Sequence, residues 1–230
     1  MKPWQKKQWC VGPTGNGHFV AHMEDVLDVY KGAYDPKRPK ICMDEGSIQL
    51  VSDKIEALPM EPGKVKREDY EYQREGSCSV FLACEPLTGK IIAEAKERRT
   101  KQDFAHFVRD LLDVHYPAAE QLVLVMDNLN THLLASFYHT FPAEEARRIC
   151  KKLEIHYTPL HGSWLNMAEI GLSVLGRQCL SGRIACLEEL QMRIDAWLAK
   201  REKQPLKINW QFTTDDARIK LKRLYPSIEG

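Results

Sequence analysis

Long hydrophobic runs are missing from this sequence. The longest, Val80–Cys84 and Leu122–Met126, are five residues each in a chain of 230. A membrane-spanning helix needs about 20 apolar residues, so no transmembrane segment and no membrane partner are expected. The opening Met1–Lys7 carries charges with no apolar stretch behind them, which argues against a secretory signal. No Cys-x-x-Cys pair occurs, and the seven cysteines are odd in number. They read as buried thiols of a reducing compartment, not as a disulfide framework or a zinc site, so a soluble cytoplasmic protein is expected. No internal repeat or low-complexity segment stands out. Net charge is also nearly absent, with 33 Lys and Arg against 32 Asp and Glu. The balance hides an asymmetry: residues 1–40 carry 7 basic and 4 acidic groups, residues 200–230 carry 8 and 4, and the middle holds 18 and 24. Basic ends around an acidic centre would suit a polyanion held beside a cation site, although chance fluctuation gives the same pattern.

What is present reads as an α/β chain. Apolar residues recur at helical spacing over 18–31, until Gly32 and Pro36 stop them. Lys40–Glu45 is a short apolar run ending in two acids. Residues 77–85 and 90–95 are strand-like, joined by the turn residues Pro86–Gly89, and Pro62-Gly63 marks another turn in a polar stretch. A helical stripe follows over 100–114, then the β-branched strand Leu122–Met126, helices over 131–141 and 143–153, and a short strand over 154–158. Ser163 is a natural N-cap for a long helix running to Leu180, and helices over 187–200 and 214–224 end the chain. The five strands interleaved with helices predict a mixed sheet with helices on both faces.

Three acids stand where such an architecture gathers functional groups. Asp44 closes the first predicted strand, Asp127 closes the most apolar one, and Glu169 lies on the sheet-facing side of the helix beginning at Ser163. Three hard oxygen donors without cysteine suit Mg²⁺ or Mn²⁺, and a pair of such ions can activate a water or a 3′-hydroxyl against a phosphodiester. Each acid taken singly is equally compatible with a turn or cap role. A phosphohydrolase with an aspartate nucleophile after its first strand wants a second acid two residues on, and Gly46 occupies that position.

The segments around these acids are more specific than the acids alone. Ile41–Glu45, then Leu122–His132 with its Asp127-Asn128-Leu129-Asn130-Thr131-His132 block, then His156–Glu169 with His161-Gly162-Ser163-Trp164-Leu165-Asn166, resemble the catalytic domain of bacterial mariner-like insertion-sequence transposases. The resemblance extends to Gln8-Trp9-Cys10, Glu97–Thr100, Asp113–Pro117, Trp210–Thr214 and Leu224–Pro226, and so takes in nearly the whole chain. It implies an RNase H-like DDE superfamily endonuclease, with Asp44, Asp127 and Glu169 as catalytic carboxylates binding two Mg²⁺ or Mn²⁺ ions. The implied reaction is DNA cleavage at transposon ends followed by strand transfer to target DNA. A homodimer that pairs the two ends follows by the same analogy. It further implies a helical lead-in over 1–38, the catalytic domain over 39–200 and a basic helical tail over 201–230.

The departures are informative. About 40 residues precede Asp44 and hold one amphipathic helix, too little for the three-helix end-recognition module of such transposases. The Asp127–Glu169 spacing of 42 is longer than the typical mariner spacing, and Gly46-Ser47 and Leu160 replace more polar residues. A catalytically silent remnant that only binds DNA, or pairs with a full-length transposase, is therefore the alternative reading.

Neighbouring residues keep two readings each. Glu45 points to the face opposite Asp44, so at most one of them aims at the site; its bland role is to pair with a Lys or Arg. Asn128 and Asn130 either position DNA or shape a turn. His132, His161 and Asn166 either touch phosphate, support the metal ligands from behind, or are structural. Trp164 stacks on a base or, more in keeping with its type, packs in the core. Lys220, Lys222 and Arg223 follow a phosphate backbone or form a solvated helix face.

Overall fold

The computed structural model describes residues 15–55, 57–67 and 69–227. Gln8-Trp9-Cys10 lies outside the described residues. Five strands, β1 (Lys40–Asp53), β2 (Tyr72–Glu85), β3 (Lys90–Lys96), β4 (Leu122–Met126) and β5 (Leu153–Tyr157), form one sheet of order β3-β2-β1-β4-β5. The first three pair antiparallel as a meander, while β4 runs parallel to both β1 and β5. This is the mixed five-stranded sheet the sequence predicts. β4 is apolar throughout because it is interior and covered on both faces.

Alternation along each strand divides the core in two. Cys42, Val80, Leu82 and Val125 face α1 (Gly17–Lys31), α5 (Ala168–Gln178), α6 (Leu187–Glu202) and α7 (Thr214–Lys220). Ile41, Met43, Phe81, Leu124 and Met126 face α2 (Lys101–Asp110), α3 (Ala135–Thr140) and α4 (Ala143–Lys151). Each fully buried aliphatic or aromatic side chain contributes about 1.5–3 kcal/mol, so both helical layers are fixed to the sheet by burial. Local signals set the helix starts: Asn16 accepts from the N–H groups of His18 and Phe19, and Thr100 with Asp103 forms a reciprocal capping box.

Several predicted boundaries are corrected. β1 does not end at Asp44 but runs on to Asp53, paired with β2 alone after Cys42. The two strands leave the sheet as a ribbon that carries an exposed loop with Leu58, Met60 and Val65 outward, turning at Pro62-Gly63 where Gly63 has φ +78°. The helix expected from Thr131 starts only at Ala135, because residues 131–134 are turns. The stripe over 100–114 finishes in a π-helical turn, Leu111–His115. The last helix divides into α7 and a 3₁₀ turn, Lys222–Leu224. The long helix expected from Ser163 is interrupted: Ser163–Leu165 form a 3₁₀ turn, Asn166 is extended, and α5 begins at Ala168. Ser163 caps nothing, and Glu169 falls in the first turn of its helix rather than two turns in.

Candidate active site

Strand register brings the first two acids level. Cys42 of β1 pairs with Val125 of β4, and Asp44 and Asp127 each stand two residues further along these parallel neighbours. Asp44 is directly opposite Leu82 of β2 and so shares its face. Helix α5 lies on that same face at close range. A Cβ on Gly171 would come within 2.8 Å of Leu82 Cδ2, and one on Gly46 would meet Leu172 Cδ2 at 3.4 Å. The glycine that looked like a departure after Glu45 faces Leu172 of this helix.

Asn166 fixes where α5 begins. Its buried side chain donates from Nδ2 to the Met43 carbonyl at 2.8 Å and accepts from the Ala168 N–H at 3.1 Å. One amide thus ties the residue before Asp44 to the turn that carries Glu169. The interruption after Leu165 is the backbone cost of that tie.

Electrostatics shows the three acids sharing one field. Asp44 is largely buried, and burial is the main force raising its carboxyl to a pKa of about 6; an N–H bond from Glu45 opposes this, while the charges of Asp127 and Glu169 add to it. Glu169 is exposed and the Asp127 side chain is 32% exposed. Among the described residues no three acidic, histidine or cysteine side chains are already closed into a metal cage. The set is coupled but open. Its donors are all carboxylate oxygens, the type that suits Mg²⁺ or Mn²⁺.

Behind Asp127 sits a buried histidine. The His132 side chain is 0% exposed, with Nε2 2.9 Å from Glu45 Oε1, and the Glu45 side chain is itself 2% exposed. Nδ1–H is directed at the Asp127 carbonyl (3.1 Å), while Asp127 Oδ1 lies 2.6 Å away, off the N–H direction. That second contact is ionic rather than a directed hydrogen bond, and Oδ1 has no other partner. Burial opposes a charge on the ring, but the contacts to Asp127 and Glu45 and their negative charge outweigh it, pushing the pKa up to about 10. Phe104 packs on the ring with centroids 4.8 Å apart, and Tyr157 Oη donates to the His132 carbonyl at 2.8 Å. Two expectations are corrected here. Glu45 pairs with a histidine and not with a Lys or Arg, and His132 is enclosed, so it cannot touch phosphate.

Other predicted residues are dispersed around this centre. Asn128 and Asn130 are exposed on the loop after β4. His161 is exposed and left-handed (φ 63°), in a turn closed by Gly162 N–H to Pro159 O; a Cβ on Gly162 would strike Pro159 Cγ at 2.4 Å. Asp127, Asn128 and His161 share a cleft of about 480 Å³ with His18 and His22 of α1. A larger cleft, about 800 Å³ between β3, α2 and α6, is lined by none of Asp44, Asp127 and Glu169, so chemistry and not size identifies the site. Trp164 is 38% exposed and meets Phe212 edge-on at 6.0 Å, so it is not a core residue. Lys220 is tied to Asp216 at 3.1 Å. The role of Glu45 was the one the sequence concealed. Alternation gave its direction but not its partner, 87 residues away.

A mixed five-stranded sheet of this order with helices on both faces is the RNase H-like fold. The chain belongs to the DDE superfamily endonucleases, whose family model matches residues 39–191. Its fold is similar to that of the Mos1 mariner paired-end complex with Mn, with a TM-score of 0.54 and 16% identity over 84% of this chain and 58% of that one. The Mos1 paired-end complex with Mg gives 0.53 and 17% over 87% and 60%, and the Mos1 strand transfer complex 0.52 and 16% over 84% and 58%. The chain thus spans about three fifths of the Mos1 chains it matches, and at this identity the likeness concerns the fold. No curated protein matches the sequence. Among the described residues no helix is long and apolar enough to cross a membrane.

Proposed function

We propose that this chain is a transposase catalytic domain that cleaves DNA at transposon ends and joins the freed 3′-hydroxyl to target DNA. In this reading Asp44, Asp127 and Glu169 hold two Mg²⁺ or Mn²⁺ ions. The observation that carries it is the field at Asp44, where carboxylates 83 and 125 positions away in sequence help hold one acid at a pKa of about 6. Such a cluster is costly without a cation. The Mos1 complexes with Mn and with Mg add support for the ion type.

When bound, a divalent pair supplies a lowered water pKa and a counter-charge for the leaving oxygen. The chain's residues do the rest. Asp44 would present its oxygens from within β1 and Asp127 from just beyond the end of β4, Glu169 would add a third from the first turn of α5, and Asn166 ties that turn to the residue before Asp44. His132 takes Asp127 Oδ1, leaving Oδ2 as the oxygen facing outward. Asn128 and His161, which line the cleft with Asp127, would contact the DNA strand. A homodimer would pair the two ends, which light scattering with end-bearing DNA would register as a doubling of mass.

The test is nicking of supercoiled plasmid DNA. Mg²⁺ or Mn²⁺ should support nicking, and Asp127→Asn should abolish it while circular dichroism is unchanged. Equal nicking by that variant would overturn the mechanism. No cleavage with either metal, together with salt-sensitive DNA binding indifferent to all three acids, would establish the silent DNA-binding reading instead.

A further inference from the structure

Glu45 lies next to Asp44 in the chain, yet its side chain has gone through to the other layer of the protein. It stands on the α2–α3 face at 2% exposure, with Oε1 on His132 Nε2 at 2.9 Å and Oε2 buried without a partner. Burying an acid there is expensive unless it is compensated. Packing alone would be better served by an apolar residue among Met43, Phe81 and Phe104. The ring it holds is wedged against Phe104 at 4.8 Å and tied through its carbonyl to Tyr157 at 2.8 Å, so the imidazole has little freedom to turn. Both ring nitrogens face oxygens: Nε2 the Glu45 carboxylate, and Nδ1 the Asp127 carbonyl with its carboxylate alongside. With Nε2 fixed on Glu45, Nδ1 is held at the Asp127 backbone oxygen at 3.1 Å, and Asp127 Oδ1 lies in ionic contact beside it at 2.6 Å.

We infer that Glu45 is a positioning residue that acts through His132 to set which oxygen of Asp127 faces the open side of the sheet. Glu45 touches neither DNA nor metal in this scheme. It anchors the ring from the closed face, the ring holds Oδ1, and Oδ2 is left for the cation. Residues that orient metal ligands from behind typically change metal affinity about 10–100-fold when replaced. The inference rests on the proposed metal-binding role of Asp127.

The experiment measures binding of Mn²⁺ alone, by electron paramagnetic resonance of the free ion, with no DNA and no turnover. Glu45→Gln keeps the size and one acceptor but removes the charge, and should weaken Mn²⁺ binding by about 10-fold or more while near-ultraviolet circular dichroism is retained. His132→Asn keeps a donor close to the place of Nδ1 and should retain more affinity than His132→Gln, whose donor falls on the Glu45 side. Asp127→Asn serves as the reference. If it loses Mn²⁺ while Glu45→Gln and both His132 variants bind within twofold of the parent, the inference is overturned and the metal site stands. If Asp127→Asn itself binds like the parent, the proposed function falls first.

Discussion

Asp44 and Glu45 are adjacent acids on opposite faces of one strand, and their surroundings differ in kind. Glu45 meets a histidine placed between two carboxylates, inside a layer closed by α2 and α3. Asp44 meets other acids, under a helix that Gly171 lets approach closely and one amide ties in place. The closed face compensates its charge from within. The open face leaves negative charge in excess, and a protein keeps such an excess where something from outside is to neutralise it.

The comparison breaks most visibly in activity. Replacing Asp127 on the open side, as Asp127→Asn, should lower nicking by about 1,000-fold or more, because the group would act on the transition state and little on the fold. If a Glu45→Gln variant lost activity to the same extent, the two faces would not be functionally distinct.

Stability should break in the opposite sense. His132→Leu fills the space but leaves Glu45 buried without its counter-charge, which costs about 3–5 kcal/mol. The pH dependence has a definite sign. His132 has a folded pKa raised to about 10 from 6.5, so its contribution is complete below pH 6.5 and is lost as pH rises through 10. Denaturant titrations of the parent should therefore show falling stability from about pH 7 to 10, and His132→Leu a flatter profile. Identical profiles would remove the ion pair from the account.

Much of this arrangement was legible in the sequence, and what was not has a common cause. β4 was bounded correctly because an apolar, β-branched run has only one way to lie in a covered sheet. The three acids stand out by their place after apolar runs and by the motifs around them, and strand register sets two of them level on adjacent strands. The misplaced helix start at Ser163 came from a good local capping signal overruled by Asn166, whose bonds reach back 123 residues to Met43. The partner of Glu45 escaped for the same reason. Alternation tells which face a residue occupies, but not which loop will close over that face.

A third test concerns the cost of the open face. Asp44 has a folded pKa raised to about 6 from 3.8, so the native state holds that proton more tightly than the unfolded chain. Its stabilising effect is complete below pH 3.8 and is lost as pH rises through 6, leaving a net penalty at neutral pH. At about 1.4 kcal/mol per pKa unit, Asp44→Asn should stabilise the metal-free protein at pH 7.5 by on the order of 2 kcal/mol. Calorimetry should show a higher Tm for the inactive variant, and Mg²⁺ should raise the parent's Tm more than the variant's. A lower Tm for Asp44→Asn in metal-free buffer would contradict the account of a carboxylate penalised first by burial and then by neighbouring like charge.

The smallest effect separates the two sides of α5 itself. Gly171 and Gly176 lie in one helix, and exchanging glycine for alanine at an exposed helical position gains about 0.5–1 kcal/mol. At Gly176 nothing lies within 4 Å of the added Cβ, so Gly176→Ala should show that gain with nicking unchanged. At Gly171 the methyl would come within 2.8 Å of Leu82 Cδ2, and Leu82 is wholly buried. The expected relief is a lift of the helix, for a net loss of about 1 kcal/mol. It would carry Glu169, two residues earlier, away from Asp44. Gly171→Ala should therefore weaken both stability and Mn²⁺ binding, and matched behaviour of the two alanine variants would show that α5 does not set the third acid's distance.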